Sequence, residues 1–166
     1  MIKVIASILI IFATTLFGIK KSEGLKKRIE WLELFKTSLC YIKEELRYSL
    51  IPVSQLIKKL SELEQFEKLM LFKELKLENS FSAALNVATE KVAYQNSLLS
   101  EDISIIKGFG ESFGFGDLES QLSLCARTAE QLEYNIKAAK DKYLSYGKLY
   151  KALGISSGSI IVLLII

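Results

Sequence analysis

The chain has 166 residues, half of them hydrophobic, and a formal net charge of +3. Its length suggests one globular domain, and its apolar content is high enough that membrane-spanning segments are expected. It contains no histidine, which excludes Ser–His and Cys–His nucleophile arrangements and removes the commonest metal ligand. A single proline and frequent Lys, Glu and Leu favour long helices over a sheet, so we predict an all-α fold.

The first apolar segment covers residues 1–19 and carries one charged side chain, Lys3. Its length is close to the roughly 20 residues that cross a bilayer as a helix. A cleavable signal peptide is the alternative, but Ala13–Thr15 is a poor cleavage site. The segment is followed by five basic residues, which favour a cytoplasmic position for that side: Lys20, Lys21, Lys26, Lys27 and Arg28. We predict an N-terminal transmembrane helix.

A long amphipathic helix follows the first segment. Apolar residues recur in steps of three and four from Leu25 to Leu50, which indicates one helical stripe. Gly24 is the only candidate hinge before it. Pro52 then breaks the helix and suits the first turn of the next one. Residues 52–77 are predicted to form one or two short helices, and residues 81–97 another.

Four glycines lie between Ile105 and Gln121, in the stretch IIKGFGESFGFGDLESQ. A dinucleotide-binding loop needs G-x-G-x-x-G after a strand, but Phe113 occupies the third glycine position and helix-start signals at Ser100 precede the stretch. A helix corner fits better, with Gly114 closing one helix and Asp117 capping the next. Gly108 and Gly110 lie inside the preceding helix, where they could permit a close helix contact.

The last helix has the strictest pattern. Its apolar positions alternate steps of four and three from Leu118 to Tyr150, as expected for antiparallel packing against the first long helix or for a coiled coil. Residues 152–166 carry no charged side chain, but 15 helical residues span only roughly 22 Å of a hydrocarbon core of about 30 Å. Gly154 and Gly158 form a G-x-x-x-G pattern that allows close helix packing.

These segments predict three regions: a transmembrane helix at 1–19, a cytoplasmic helical domain at 20–151, and a short C-terminal transmembrane helix at 152–166. The fold is then an antiparallel helical bundle flanked by two membrane helices. The two distant cysteines, Cys40 and Cys125, are expected as reduced core residues. The nearly balanced charge of the body argues against nucleic-acid binding, and the lack of metal or phosphate motifs argues against an enzyme or a cofactor.

The chain resembles the stage III sporulation protein AB family of endospore-forming bacteria from one end to the other. GESFGFGDLESQ, residues 110–121, is similar to the family signature G-E-x-L-G-x-x-D-x-x-x-Q, with Phe113 in place of leucine. EELRYSLIPV supplies Glu45, Tyr48 and Pro52 at the spacing of a second family element. ATTLFG and LGISSG resemble the end of the family's first membrane helix and its glycine-bearing tail.

The resemblance implies a multi-pass protein of the mother-cell membrane facing the forespore, within a channel-like complex. It also implies a soluble domain similar to the cytoplasmic domains of inner-membrane platform proteins of type II secretion and type IV pilus machines. By that analogy the domain would bind the cytosolic secretion-type ATPase, stage III sporulation protein AA, beside other membrane proteins of the channel.

We therefore expect a non-catalytic membrane platform, and we expect its partner-facing or fold-defining residues to be Glu45, Tyr48, Pro52, Gly110, Glu111, Gly114, Asp117 and Gln121. Pro52, Gly110, Gly114 and Gln121 are expected to set the corners, and Asp117 to act as a helix cap. The alternative is a structural coiled-coil protein that forms homo-oligomers through its last helix and the Gly154–Gly158 face.

Overall fold

The structure of the chain, a computed structural model, describes residues 2–49, 51–75 and 80–165. Two helices of equal length begin and end it: α1 covers Ile2–Ser49 and α6 covers Leu118–Ile165. Between them lie α2 (Val53–Glu62), a 3-10 helix (Glu64–Leu69), α3 (Leu71–Glu74), α4 (Phe81–Gln95) and α5 (Ser100–Ser112). Throughout these described ranges there is no β-strand, so the all-α prediction is confirmed.

The chain divides into two compact units. One comprises Met1–Lys27 and Ala138–Ile166, and the other comprises Arg28–Lys137. We call them the helix-pair unit and the bundle unit. Both α1 and α6 contribute to each of them, and α1 is unbroken at Gly24, where a hinge was expected. The three predicted regions, 1–19, 20–151 and 152–166, remain predictions.

The bundle unit is built on the predicted stripe of α1. Leu32, Phe35, Leu39 and Ile42 are each at most 1% exposed, because residues three and four apart lie on one helix face. Leu50, the last member of that stripe, lies outside the described residues. Trp31 stacks on Phe35 and donates its indole N–H to the Leu69 carbonyl oxygen over 3.0 Å, so the core fixes the short helices against α1.

The stripe of α6 is buried over its middle only. Cys125, Leu132, Ile136 and Ala139 are each at most 1% exposed, whereas Leu118 is 38% and Tyr146 is 46% exposed. The expectation of two core thiols is wrong for Cys40, which is exposed; both cysteines are free. The prediction of burial fails for Cys40 because this residue lies beside the apolar stripe of α1 and not within it.

The segment between Pro52 and residue 75 forms three short helices where one or two were expected. Met70, with a φ of 56°, ends the 3-10 helix and precedes α3. Helix α5 begins at Ser100 itself, so Ser100 is not the N-cap: Leu99 precedes the helix, and the Asp102 carboxylate accepts a hydrogen bond from the Leu99 backbone N–H over 2.9 Å. An acidic residue at the third helical position can accept the backbone N–H of the N-cap residue, as in half of a capping box.

Candidate functional site

The corner between α5 and α6 depends on two glycines with positive φ. The Phe113 N–H donates to the Phe109 carbonyl over 2.9 Å, and Gly114 and Gly116 follow with φ values of 92° and 87°. A residue that has a Cβ rarely adopts this backbone conformation. Asp117 then caps α6 by accepting the Ser120 N–H over 2.9 Å. The stretch is therefore a helix corner, as its spacing predicts.

Gln121 closes the corner from inside. Its side-chain oxygen accepts the Gly114 N–H over 2.9 Å, and its side-chain nitrogen donates to the Phe115 carbonyl. The residue is 7% exposed, and both polar groups of its amide are hydrogen-bonded to the backbone of the turn. Gln121 therefore links Gly114 and Phe115 of the turn to α6.

The outer side of this corner is acidic and has an apolar tip. Glu111, Asp117 and Glu119 are exposed, and hydrogen bonds from Ser120 lower the pKa of the Asp117 carboxyl. Phe115 is 71% exposed between the two glycines. We call Glu111, Phe115, Asp117 and Glu119 the corner surface. Sequence reasoning missed Phe115. An aromatic residue between two turn glycines has little core to pack against, so its exposure could have been expected.

The two glycines inside α5 differ from each other. A Cβ built on Gly110 would lie 2.6 Å from a methyl carbon of Leu85, so α4 approaches α5 closely there. A Cβ on Gly108 would meet nothing within 4 Å. The expected close contact thus exists at Gly110 and not at Gly108, because Gly108 lies on another side of the helix.

The second group of sequence-selected residues lies where α1 gives way to α2. Glu45 accepts a hydrogen bond from the Lys59 ammonium over 2.8 Å, and this bond lowers the pKa of the Glu45 carboxyl. The Pro52 carbonyl accepts the N–H groups of Gln55 and Leu56, and Pro52 precedes α2 as its N-cap. Tyr48 is 79% exposed and contributes no core packing. Glu45 and Pro52 therefore fix the junction, and Tyr48 faces outward.

The two groups are neighbours in the bundle unit. A Cβ on Gly114 would lie 3.5 Å from a methyl carbon of Val53, the first residue of α2. The junction of α1 with α2 and the corner between α5 and α6 therefore lie close together. Sequence elements that are about 60 residues apart are thus adjacent in the fold.

A buried ion pair that sequence reasoning missed holds three helices of the bundle unit together. The Arg28 guanidinium donates from Nε and Nη2 to the two carboxylate oxygens of Asp102, over 2.7 and 2.9 Å. Asn135 donates to the same carboxylate over 2.8 Å. Asp102 is fully buried and Arg28 is 5% exposed. From sequence alone Arg28 counted only as a flanking charge, because no local pattern pairs it with a residue 74 positions away.

In the helix-pair unit, glycines bring α1 and α6 into backbone contact. A Cβ on Gly18 would lie 2.4 Å from the Tyr150 carbonyl oxygen, and one on Gly154 would lie 2.8 Å from the Thr14 carbonyl oxygen. A Cβ on Gly158 would lie 2.9 Å from the Cα of Ile11. As the residue number rises along α1, the number of the facing residue on α6 falls, so the two helices are antiparallel. Small residues allow such close approach.

The surface of this unit is strongly apolar. Phe12 and Phe17 of α1 are 61% and 72% exposed, and Leu163 and Leu164 of α6 are 79% and 82% exposed. Among the described residues, α6 is the helix long and apolar enough to cross a membrane, over Leu118–Leu164. The predicted N-terminal span includes residues 1–5, whose side chains lie outside the described part, and stays a prediction. The exposed apolar surface supports association with a membrane.

The cysteine chemistry of the bundle unit offers no activated nucleophile at Cys125. Burial raises the pKa of its thiol to about 12, and a reactive cysteine needs a lowered one. In the part of the chain that the structure describes, His, Cys, Asp and Glu form no group of three that could hold a metal ion. The absence of catalysis remains a prediction from the sequence.

Comparison with known proteins gives one family. The model of the family described as stage III sporulation protein AB matches residues 3–166. No curated protein and no solved structure gives a significant match. The match covers nearly the full length, including both apolar ends and the corner surface.

Proposed function

Because the chain belongs to the stage III sporulation protein AB family, we propose that it is a non-catalytic membrane platform of the channel complex between mother cell and forespore. Family membership fits a role in sporulation. On our proposal the helix-pair unit lies in the mother-cell membrane facing the forespore and the bundle unit lies in the cytoplasm. The bundle unit binds the secretion-type ATPase, stage III sporulation protein AA, and couples it to the membrane channel.

The corner surface is the observation that supports this function most. Gln121 bonds the loop to α6 in a conformation that the two positive-φ glycines permit, and a surface held in one conformation loses little entropy on binding. The surface combines exposed carboxylates with the exposed ring of Phe115. Interfaces commonly use an aromatic anchor surrounded by charged residues. Glu111 has no contact among the described residues that would account for it structurally.

The direct test is a binding titration between the full-length chain in detergent micelles and the ATPase. We expect Glu111→Lys to weaken binding about tenfold or more, because reversing an interfacial charge places like charges together. Phe115→Ser should weaken it by a similar or larger factor, since exposed aromatic residues are frequent hot spots.

The matched control is Glu130→Lys, which reverses an exposed carboxylate on α6, away from the corner surface. It lies 13 residues beyond Asp117, or roughly 20 Å along the helix. Equal loss in both charge reversals would indicate a general electrostatic effect and remove the corner surface as the binding site. No binding by the wild-type chain would exclude the ATPase as a direct partner.

The homo-oligomer alternative is less well supported. It requires the Gly154–Gly158 face for contacts between chains, yet that face contacts α1 of the same chain. Light scattering on the full-length chain distinguishes the two functions. Stable multimers would favour the structural coiled-coil protein.

The antiparallel helix pair itself can be tested by a disulfide. A Cβ on Gly147 would lie 3.5 Å from the Ser22 hydroxyl oxygen, a separation compatible with a Ser22→Cys/Gly147→Cys bridge. In a chain without the native cysteines, mild oxidation should link these positions. A Ser22→Cys/Ser159→Cys control should stay reduced, because Ser159 lies roughly 18 Å further along α6.

A further inference from the structure

The helix-pair unit has a groove along one side, with a volume of about 790 Å³. Small and apolar side chains line most of it, including Ala13 and Phe17 of α1 and Ser156 and Ile160 of α6. Lys21 also lines it. The groove is therefore an apolar trough with one cationic group.

The antiparallel contacts decide where that group lies. Tyr150 contacts Gly18, and Gly147 contacts Ser22, so Lys21 lies at the end of the groove formed by Tyr150. Ala13 and Ile160 lie toward the other end, because Gly158 contacts Ile11. The groove thus begins at the polar flank of the helix pair and becomes apolar with distance from it.

The length of the groove matches one leaflet of a bilayer. From Lys21 to Ala13 a helix rises roughly 12 Å, and from Tyr150 to Ile160 roughly 15 Å. Half of a hydrocarbon core of about 30 Å is about 15 Å. A membrane helix of another protein would cross both leaflets and use the groove along only half its length, whereas one acyl chain ends near the bilayer centre.

The charge at the polar flank indicates the class of lipid. Around Lys21, over residues 20–27 and 138–151, basic side chains clearly outnumber the acidic ones, which are Glu23 and Asp141. A basic cluster at the end of a membrane helix attracts anionic phospholipid headgroups. Tyr150 belongs to the residue type that favours the headgroup level.

We propose that this groove is a binding site for an anionic phospholipid of the leaflet that contains the Lys21 end of the helix pair. One acyl chain lies in the trough from Tyr150 to Ile160, and the phosphate pairs with the Lys21 ammonium. This proposal rests on the membrane placement of the helix pair in the proposed function. It adds a ligand that could make assembly of the platform depend on the lipid composition around it.

The test uses the full-length chain in vesicles of phosphatidylcholine and phosphatidylglycerol that contain phosphatidylglycerol with a photoactivatable acyl chain. Labelled residues are mapped by mass spectrometry. We expect label on groove-lining residues, and Lys21→Gln should lower it about fivefold, the contribution expected of one basic residue near an anionic surface. Lys20→Gln is the matched control, because Lys20 is exposed and does not line the groove.

A second pair of variants tests the trough itself. Ser156→Phe should block labelling by filling the groove, and Ser159→Phe should not, since Ser159 is exposed outside it. Equal labelling in each variant and its control would overturn the proposal. So would equal labelling by a photoactivatable phosphatidylcholine, or groove-dependent cross-linking to a membrane helix of another protein in sporulating cells.

Alkaline carbonate extraction separates this inference from the proposed function. A chain that resists extraction but takes no label in the groove would contradict the lipid site alone. A chain released by carbonate would contradict the membrane placement on which both depend.

Discussion

Replacing Asp102 by asparagine tests whether the buried ion pair holds the bundle unit together. One carboxylate oxygen accepts hydrogen bonds from Arg28 Nε and the Leu99 N–H, over 2.7 and 2.9 Å. The other accepts from Arg28 Nη2 and Asn135, over 2.9 and 2.8 Å. The carboxylate is thus bonded from α1, α6 and the start of α5, and its side chain has no exposed area.

The expected loss is electrostatic, because asparagine has nearly the volume of aspartate and leaves no cavity. Asp102→Asn strands the Arg28 charge, and breaking a buried pair in this way costs about 3–5 kcal/mol. That is a large part of a total stability of about 5–15 kcal/mol. The double variant Arg28→Met/Asp102→Asn should recover much of the loss, because it removes the stranded charge. The asparagine oxygen can still accept from Asn135, but its NH2 group then faces the Leu99 N–H.

The assay is urea unfolding of the full-length chain in a non-ionic detergent, followed by fluorescence of the single tryptophan. Trp31 is 3% exposed in the bundle unit, so its emission reports that unit. With a denaturant slope of about 2 kcal/mol per molar, the midpoint of Asp102→Asn should fall by about 2 M. Glu90→Gln, which removes an exposed pair with Lys107, should leave the midpoint unchanged.

Two results would refute this reasoning. One is a midpoint for Asp102→Asn as high as that of Glu90→Gln. The other is a double variant as unstable as the single variant, which would assign the loss to the hydrogen-bond network and not to the unpaired charge.

Three further predictions use the same chain. Gly108→Ala should raise the free energy of unfolding by about 0.5–1 kcal/mol, since the added Cβ enters open space. Gly110→Ala should lower it by about 1 kcal/mol, because the added Cβ overlaps a buried leucine. Equal urea midpoints for the two variants would contradict this difference. At mildly alkaline pH a maleimide should modify exposed Cys40 and spare Cys125, whose thiol pKa is about 12, until urea unfolds the bundle unit. The pKa of the Glu45 carboxyl is lowered by its lysine partner, so the pair stabilises the fold above the usual carboxyl range and is lost as pH falls through the lowered pKa. Glu45→Gln should therefore reduce the midpoint at neutral pH but not in strong acid, and a reduction of the same size at both would contradict the pairing.

The residues chosen from the sequence have unequal structural roles. Gln121, Gly114 and Asp117 build the turn, and Gly110 lets α4 approach α5. Tyr48 and Glu111 are exposed with no such role, so they are the ones best placed for a partner. Glu45 combines a structural role with exposure, because its carboxylate is bonded to Lys59 and its side chain is still 16% exposed.

Some parts of the fold follow from local pattern. Steps of three and four gave the core stripe of α1, and helix-terminating glycines followed by aspartate gave the α5–α6 corner. The segment between Pro52 and residue 75 was less predictable: it divides at Met70, which adopts a left-handed conformation with no glycine to indicate it. A short helix whose ends depend on tertiary packing carries little local signal.

The sequence by itself determined the all-α class, the two apolar ends, the corner between α5 and α6 and the family, because each of these depends on residues close together in the chain or on ordered motifs. Only the tertiary structure showed the Arg28–Asp102–Asn135 network, the proximity of Gly114 to Val53 and the groove beside Lys21. Each joins residues on different helices, and the spacing along one helix cannot specify which face of another helix will meet it.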